Sequence, residues 1–351
     1  NSNYYCNQME FVRNAWYVAG WSSEFDNELS ALKILDENIV MFRTSKGQVI
    51  AMEDRCPHRS LPLSMGKLIG DDIQCGYHGI TYNCEGVCVR IPGQKKIQKS
   101  LYVPTYPVYE KHDIVWIWMG EDYLADTSKI FEMPQFSQSG WEVNQGDAID
   151  LNSNYLYVAE NLIDPAHVSF VHPTTLGSSA SEDVLVEFET EGDLIVAWRW
   201  IRNSPPIGFF KEFPGYKNNV DRWHYYYLHL PSIAVIDFGS IDSNNKIEEN
   251  QRHLGTQLFA LHFLTPVGSN RTIDRWMHLR NVAVGDEKAS EKINSMFRVA
   301  FAEDKEILEA IQKQTDNQQK QNPVHIAIDK GSIAYRRKIE ELIKSEKSFK
   351  A

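Results

Sequence analysis

Two short motifs, each with one cysteine and one histidine, constrain this chain more than any other feature of its sequence. Cys56 and His58 form a Cys-x-His motif, and Cys75 and His78 form a Cys-x2-His motif after 16 intervening residues. Thiolates and imidazoles at such short spacing act as metal ligands when a tight loop presents them together. The odd count of five cysteines also favours metal ligation over a disulfide framework. The first third of the chain is therefore expected to fold around a metal centre.

The distribution of the ligands between the two motifs favours a [2Fe–2S] cluster over a zinc ion. A tetrahedral Cys2His2 zinc site is the main alternative, but zinc fingers usually keep the two cysteines together and the two histidines together. Here each motif supplies one of each, which suits a cluster with two cysteines on one iron and two histidines on the other. Cys84 and Cys88 lack histidines at ligand spacing and are expected to be small core residues.

A second group of candidate ligands lies further along the chain. Asn161, Asp164, His167 and His172 follow the spacing Asn-x2-Asp-x2-His-x4-His. Five residues turn an undistorted helix through about 140°, so the two imidazoles would not share one helical face. Pro165 cannot continue an upstream helix but suits a first helical position, with Asp164 as the cap before it. The sequence therefore predicts a kink that lets His167 and His172 converge on one ion.

A carboxylate is needed to complete the two-histidine, one-carboxylate set that holds non-haem Fe(II) and leaves positions open for O2 and substrate. A helix is predicted around Asp286 to Thr315, and its core-facing positions follow 4-3-4-3 spacing: Phe297, Phe301, Asp304, Leu308 and Ile311. A buried, unpaired carboxylate is costly, and metal coordination of Asp304 would remove that cost. Glu303 lies about 100° away and is the weaker candidate. Taken singly, each residue also fits a structural role, such as a core histidine, a helix cap or an aspartate paired with a buried arginine.

The apolar pattern predicts an α+β protein with an N-terminal all-β [2Fe–2S] domain over 9–120 and a catalytic domain over 130–351. The polar, turn-rich segment 120–134 is the expected linker, and residues 1–8 are given no function. The second domain is expected to be an antiparallel sheet with helices, similar to a helix-grip fold. Its predicted strands are Leu194 to Trp200, Tyr225 to Leu230, Ile233 to Phe238 and Leu258 to Leu264.

Charge and hydropathy limit the kinds of partner. The net charge of −11 argues against nucleic acid, because proteins that bind a phosphate backbone concentrate positive charge. No apolar run approaches the 18 or so residues that a membrane helix needs, and the N-terminal residues lack the features of a signal peptide. A cytoplasmic location without a membrane partner is therefore expected.

The two motifs, in this order and at this separation, resemble those of the Rieske non-haem iron oxygenases, and most of all the vanillate O-demethylase and dicamba monooxygenase group. The likeness covers nearly the whole chain from Met9. It includes the segments Phe11 to Ala19, Cys88 to Gln94, Glu303 to Lys305 and Ile328 to Gly331. The resemblance implies that the cluster is bound by Cys56, His58, Cys75 and His78, and that a mononuclear iron is bound by His167, His172 and Asp304.

The same resemblance implies an assembly and an electron supply. Asn161 falls where this group places an asparagine close to the metal. Asp164 matches an aspartate that connects His78 of one subunit to His167 of the next in a homotrimer. The resemblance further implies a separate reductase, with flavin and ferredoxin domains, that passes electrons from NAD(P)H. O2 would be the co-substrate.

The resulting functional hypothesis is the oxygenase component of a multicomponent monooxygenase that hydroxylates or O-demethylates a small aromatic compound such as a methoxybenzoate. N-demethylation, or hydroxylation of an aryl methyl group or ring on another aromatic acid, uses the same metal centres and stays open. A Rieske electron-transfer protein without oxygenase activity would leave the second histidine pair unexplained. His262 alternates inward in an apolar strand and is a candidate substrate-binding residue, although such a histidine is more often structural.

Overall fold

The computed structural model describes residues 10–317 and 323–349, so the expected start at Met9 and the segment 1–8 lie outside the described residues. The chain forms two compact units. One contains Arg13–Phe131 together with the short segment Thr265–Gly268, and the other contains the remainder of the described chain. The segment 265–268 belongs to the first unit although its neighbours in sequence belong to the second, which no local pattern in the sequence indicates. Each unit builds one of the two candidate metal centres.

The first unit is all-β, as the spacing of its apolar runs predicts. Its strands are β1 (Trp16–Trp21), β2 (Ser30–Ile34), β3 (Glu37–Arg43), β4 (Val49–Glu53), β5 (Lys67–Ile69), β6 (Asp72–Gln74), β7 (Thr81–Tyr82), β8 (Cys88–Arg90), β9 (Val108–Lys111) and β10 (Ile114–Trp118). They form three antiparallel sheets in the orders β1-β10-β9, β2-β3-β4 and β5-β6-β7-β8. The predicted cluster ligands lie in the loops that flank β5 and β6.

The second unit is built on a seven-stranded sheet in the order β11-β17-β16-β15-β14-β13-β12. Its strands are β11 (Glu142–Leu151), β12 (Glu187–Glu191), β13 (Leu194–Ser204), β14 (Val220–His229), β15 (Ile233–Asp242), β16 (Thr256–Gly268) and β17 (Arg271–Arg280). The neighbours from β12 to β16 pair antiparallel, and so do β11 and β17. All four strands predicted in this unit are present, and β14 begins five residues before the predicted Tyr225.

Five α-helices accompany this sheet in the described chain: α1 (Tyr155–Leu162), α2 (Val168–Val171), α3 (Phe209–Glu212), α4 (Glu287–Asn317) and α5 (Lys330–Ser348). Short 3-10 helices cover Ser22–Glu24, Leu63–Met65, Asp122–Leu124, Thr127–Lys129, Pro134–Phe136, Ser179–Ser181, Ser243–Asn245, Glu249–Leu254 and Ala327–Asp329. None of the helices within residues 10–317 and 323–349 combines the length and the apolar composition needed to cross a bilayer.

The long helix α4 agrees with the helix predicted over Asp286 to Thr315, and it packs its apolar stripe on the sheet. The rings of Phe297 and Phe301 lie 5.8 and 5.3 Å from the ring of Trp276 on β17. Asp304 continues this buried stripe, as its position in the sequence predicts. The stripe ends differently from the prediction, because Ile311 is 41% exposed and Gln312 is buried instead. The side chain of Gln312 accepts a hydrogen bond from the backbone N–H of Asn154 at the start of α1, which explains its burial.

Candidate metal centres

Two loops with matching backbone geometry carry the first group of predicted ligands. In each loop the cysteine N–H donates to the carbonyl oxygen five residues later, at 2.9 Å for Cys56 and 2.8 Å for Cys75. The carbonyl oxygen of each cysteine accepts from the N–H four residues later, at 2.8 and 3.2 Å respectively. That fourth residue is left-handed in both loops, with φ of 65° at Ser60 and 71° at Gly79. The two loops therefore hold their cysteines in equivalent backbone settings, although the histidine follows two residues after the cysteine in the first loop and three in the second.

The four side chains divide into a buried pair of thiols and an exposed pair of imidazoles. Cys56 and Cys75 are 2% and 3% exposed, whereas His58 and His78 are exposed with ring centroids 4.7 Å apart. Only one group of three or more potential ligands surrounds a single point within residues 10–317 and 323–349, and it includes none of these four. A zinc ion would need all four ligand atoms around one point, whereas a [2Fe–2S] cluster holds the cysteine and histidine pairs apart on separate irons. The geometry fits the cluster.

The two thiols are buried, and hydrogen-bonding groups surround their sulfur atoms. The hydroxyl of Tyr82 lies 3.2 Å from Cys56 Sγ. Burial raises the pKa of the Cys75 thiol, while the backbone N–H groups of Tyr77 and His78 oppose that shift by donating to the sulfur. Cluster irons would favour the thiolate further, because metal ligation deprotonates cysteine. Cys88 is buried in the core of this unit and Cys84 packs against that core, as expected for small core residues.

The second site forms where the helix that contains Asn161 ends, and the predicted kink is confirmed. Helix α1 stops at Leu162, and helix α2 begins only at Val168. Pro165 lies in the irregular turn between the helices and does not begin α2, which differs from the prediction in detail. His167 and His172 flank the four residues of α2, at its N-terminal and C-terminal ends. The break lets two imidazoles five residues apart turn toward the same point.

Three predicted ligands meet at this point. Asp304 Oδ1 lies 3.3 Å from His167 Nε2 and 3.0 Å from His172 Nε2. One ligand atom from each residue lies within 4.8 Å of the other two. Asn161 Nδ2 donates to the same Oδ1 at 3.0 Å, so the asparagine lies beside the site, as the family resemblance implies. Two imidazoles and one carboxylate are the donor set of non-haem Fe(II) sites that leave positions open.

Hydrogen bonds at Nδ1 fix both imidazoles with Nε2 toward Asp304. The Nδ1 atom of His167 lies 2.5 Å from the backbone carbonyl oxygen of Asp164, and that of His172 lies 3.3 Å from Glu303 Oε1. Because each Nδ1 faces an acceptor, it carries a proton, so Nε2 is the atom that would present its lone pair once a metal replaces the proton shared with Asp304. This is the usual arrangement around metal-binding histidines. Glu303 is therefore a partner of His172, a role that its position next to Asp304 in the sequence did not reveal.

The carboxylate of Asp164 has a structural contact within its own chain. Its Oδ1 accepts from the backbone N–H groups of Ala166 at 2.8 Å and His167 at 3.3 Å. These bonds cap the turn that leads into α2, which agrees with the alternative that Asp164 acts as a cap. They also place the carboxylate within one turn of a predicted iron ligand.

The electrostatics of the three groups suit a cation. Burial raises the pKa of Asp304, but hydrogen bonds from His167 and His172 outweigh burial and hold it well below its usual range. Burial lowers the pKa of His167, but the hydrogen bond and the charge of Asp304 outweigh burial and shift it upward. The carboxylate is thus ionised within a buried site, and a divalent cation would compete with protons for the imidazoles.

His262 has a buried carboxylate partner. It is 1% exposed, its Nδ1 lies 2.8 Å from Asp274 Oδ2, and its ring lies 4.6 Å from that of Phe301. It does not line the mostly apolar cavity of the same unit that is bordered by Thr175 and Leu176, shortly after His172. That cavity is lined by another buried basic residue, Arg222, which the sequence analysis missed because β14 begins five residues before the predicted strand.

Comparisons with known proteins match both parts of the chain to known families. The family profile of the Rieske [2Fe-2S] domain matches residues 15–107, and that of the vanillate O-demethylase oxygenase C-terminal domain matches residues 151–345. The toluene-4-sulfonate monooxygenase system iron-sulfur subunit of Comamonas testosteroni is 34% identical over 96% of this chain and 98% of its own. The dicamba O-demethylase oxygenase component of Stenotrophomonas maltophilia is 30% identical over 95% of this chain and 98% of its own.

Solved structures show the same similarity. The crystal structure of dicamba monooxygenase with non-heme iron and dicamba superposes with a TM-score of 0.81 at 26% identity. The match covers 96% of this chain and 99% of the other. A shared backbone over nearly the full length of both chains includes both units, so the similarity extends beyond the cluster domain.

Proposed function

Because the chain belongs to the Rieske non-haem iron oxygenases, within the vanillate O-demethylase group, we propose that it hydroxylates or O-demethylates a small aromatic compound such as a methoxybenzoate. The chain is the oxygenase component of a multicomponent monooxygenase that acts on aromatic substrates. Its cofactors are a [2Fe–2S] cluster and a non-haem iron. The observation that carries the proposal is the convergence of His167, His172 and Asp304 in a chain whose N-terminal part is a Rieske domain.

The residues of the two centres are assigned as follows. The cluster is held by Cys56, His58, Cys75 and His78, and the mononuclear iron by His167, His172 and Asp304. When bound, the two centres supply electron transfer and the activation of O2 at a ferrous ion with open positions. Asn161 and Glu303 orient this second site through Asp304 and His172, respectively.

The reaction at a methoxy group places one oxygen atom of O2 into a methyl C–H bond. The hemiacetal that results breaks its C–O bond, which yields formaldehyde and a phenol. Two electrons and two protons reduce the second oxygen atom to water, and a reductase supplies the electrons. We assign this role to a flavin- and ferredoxin-containing reductase that uses NAD(P)H. The chain itself binds the substrate, orients it and excludes bulk water from the reacting carbon.

A substrate panel tests the proposed reaction. The loaded oxygenase, a ferredoxin-type reductase and NADH are supplied with methoxy-, methyl- and N-methyl-aromatic compounds, and formaldehyde and hydroxylated products are measured. We expect formaldehyde and a phenol in equal amounts from a methoxy-aromatic compound. Hydroxymethyl products alone would favour aryl-methyl hydroxylation. Reduction of the cluster without any oxygenated product from the panel would contradict the proposal.

We assign to Asp164 the connection between the centres of neighbouring subunits in a homotrimer. Two contacts support this role: its carbonyl oxygen touches His167, and its carboxylate lies in the turn before that residue. Sedimentation or light scattering of the loaded protein should give three times the 40.4 kDa mass of the chain. A monomer with full activity would contradict the assignment.

The Asp164→Asn variant separates this connecting role from the capping role. Asparagine retains an oxygen that can accept from Ala166 and His167, so both metals should stay bound. Product formation should fall by at least about tenfold while the reductase still reduces the cluster. Metal content, cluster reduction in a stopped-flow instrument and product yield are measured. Asp183→Asn, at an exposed position of the same unit, is the matched control. Unchanged product formation in the Asp164→Asn variant would remove the connecting role.

A further inference from the structure

A mostly apolar cavity lies beside the residues that follow His172. Its apolar walls include Ile207, Phe209, Phe238 and Leu258, which suits an aromatic ring.

Two elements that carry proposed iron ligands also contribute residues to the cavity lining. Thr175 and Leu176 line it, and their backbone N–H groups donate to the carbonyl oxygen of His172 at 3.4 and 3.3 Å. Met296 also lines it and stands on α4 eight residues before Asp304, a rise of about 12 Å along the helix. A one-ring substrate in the cavity would therefore lie next to the turn that carries His172.

One guanidinium lines this cavity without a full set of partners. Arg222 is 2% exposed, and its Nη2 donates to Ser178 Oγ at 2.6 Å. Its Nε and Nη1 have no hydrogen-bond partner within the described residues. Burial, followed by the positive charge of Arg199, lowers the pKa of Arg222 to about 10, so it stays protonated at neutral pH. A buried cation without a counter-ion is costly, and an anion bound in the cavity would remove that cost.

Further hydrogen-bonding groups lie near this guanidinium. Thr175 Oγ1 is buried without a partner in the described chain, and so is Ser240 Oγ. Ser240 on β15 is the cross-strand neighbour of Arg222 on β14, so both side chains belong to the same face of the sheet. Arg222 and Thr175 thus both bring unused polar atoms to the lining of the cavity, and Ser240 offers another unused hydroxyl at the strand position beside Arg222.

The side chains of His224 and Arg199, which lie near Arg222, do not neutralise its positive charge. His224 lines the cavity, and its Nδ1 accepts from Arg199 Nε at 3.2 Å, so its proton is on Nε2. Arg199 is itself buried, and its other nitrogens donate to the carbonyl oxygens of Ser181 and Pro165 at 2.8 Å. Arg199 and His224 therefore supply no counter-ion for Arg222.

We propose that Arg222 binds the anionic group of the substrate and thereby selects aromatic carboxylates or sulfonates over neutral aromatic compounds. The inference rests on the proposed function, because it assumes that this cavity holds the compound to be oxidised. Arg222 binds and positions the substrate, and it takes no part in the chemistry of oxygen.

The test is equilibrium binding to the anaerobic protein loaded with cluster and iron. The probes are 4-methoxybenzoate, 4-methoxybenzenesulfonate and the neutral 4-methoxybenzamide. The Arg222→Met variant should raise the Kd of the preferred anion by about 30-fold, since a hydrogen bond to a charged group contributes about 2 kcal/mol. The Kd of the amide should change by less than about threefold. KM for the anion should rise in parallel, with a smaller change in kcat.

Two further variants keep the test decisive. Arg298→Met removes an exposed arginine paired with Asp147 in the same unit, and it should change neither Kd. Arg222→Lys retains the positive charge and should recover part of the affinity for the anion. If Arg222→Met fails to bind its metals, Arg222→Lys is measured in its place. Wild-type protein that binds neither anion, or that binds anion and amide equally, would overturn the inference. An unchanged Kd for the anion in a metal-loaded Arg222 variant would also do so.

The outcomes also separate this inference from the proposed function. Oxygenated product from the amide and none from either anion would contradict the role of Arg222 but retain the oxygenase reaction. Tight, Arg222-dependent binding of an anion without oxygenated product from any probe would retain the binding site and contradict the reaction.

Discussion

Replacing Asp304 with alanine should abolish product formation and leave the cluster intact. The change removes the carboxylate that both imidazoles and Asn161 contact through Oδ1, at 3.0 to 3.3 Å. Two histidines alone hold a divalent ion weakly, so the loss should exceed the ten- to hundredfold effect typical of residues that only support a ligand. Iron content should fall from about three to about two per chain, and the visible spectrum of the cluster should be retained.

Two neighbours on the same helix provide controls for Asp304→Ala. Glu306 is exposed, and Glu306→Ala should retain full activity and iron content. Glu303→Gln weakens the acceptor for His172 Nδ1, so we expect an intermediate loss of iron affinity of about ten- to hundredfold. If Asp304→Ala keeps a third iron and forms product, or if Glu303→Gln has the larger effect, then Asp304 is not the carboxylate ligand.

The positions of the proposed ligands were predictable because they are encoded locally. The Cys-x-His and Cys-x2-His motifs each lie in a single tight loop, so spacing alone indicates which side chains meet. The break at Pro165 follows from a missing backbone N–H, a property of one residue. Asp304 stands out because it interrupts an apolar helical stripe, and that stripe depends only on the period of the helix.

Features that depend on pairing between distant segments were not predictable in this way. The role of Arg222 requires knowing that β14 begins at Val220, and that its register places Arg222 opposite Ser240. A shift of one residue would turn Arg222 to the opposite face of the sheet. The burial of Gln312 in place of Ile311 also depends on a distant segment. Gln312 is buried because its side chain accepts a hydrogen bond from Asn154 at the start of α1.

The hydrogen-bond acceptors of His167 and His172 were only partly predictable from the sequence. Glu303 is adjacent to Asp304 in sequence, and helical geometry predicted the angle between them. Its contact with His172 depends on how α4 packs against the turn after α2, which is a tertiary property. The acceptor for His167 is a backbone carbonyl, that of Asp164, and a backbone atom leaves no signature in the choice of residue.

Replacing Cys75 with serine should remove the cluster and with it all reductase-dependent turnover. Serine has nearly the same size but lacks the soft thiolate that iron-sulfur clusters require. Cys75 is buried, and two backbone N–H groups are directed at its sulfur, so no other side chain can take its place. Iron content should fall from about three to about one per chain, and the visible absorption of the cluster should disappear. Electrons from the reductase then have no acceptor in this chain.

Cys88→Ser is the matched control, because Cys88 is also a buried cysteine of the same unit, 5% exposed. Its sulfur lies 3.6 Å from the carbonyl oxygen of Arg90, an acceptor that a hydroxyl can also use. The variant should retain its cluster, its iron content and its turnover, with a loss of unfolding free energy of about 1 kcal/mol. Iron analysis and visible spectroscopy of the purified variants show whether each one retains the cluster. A cluster that persists in Cys75→Ser, or one zinc per chain in place of two irons in the wild type, would contradict the assignment of the first centre.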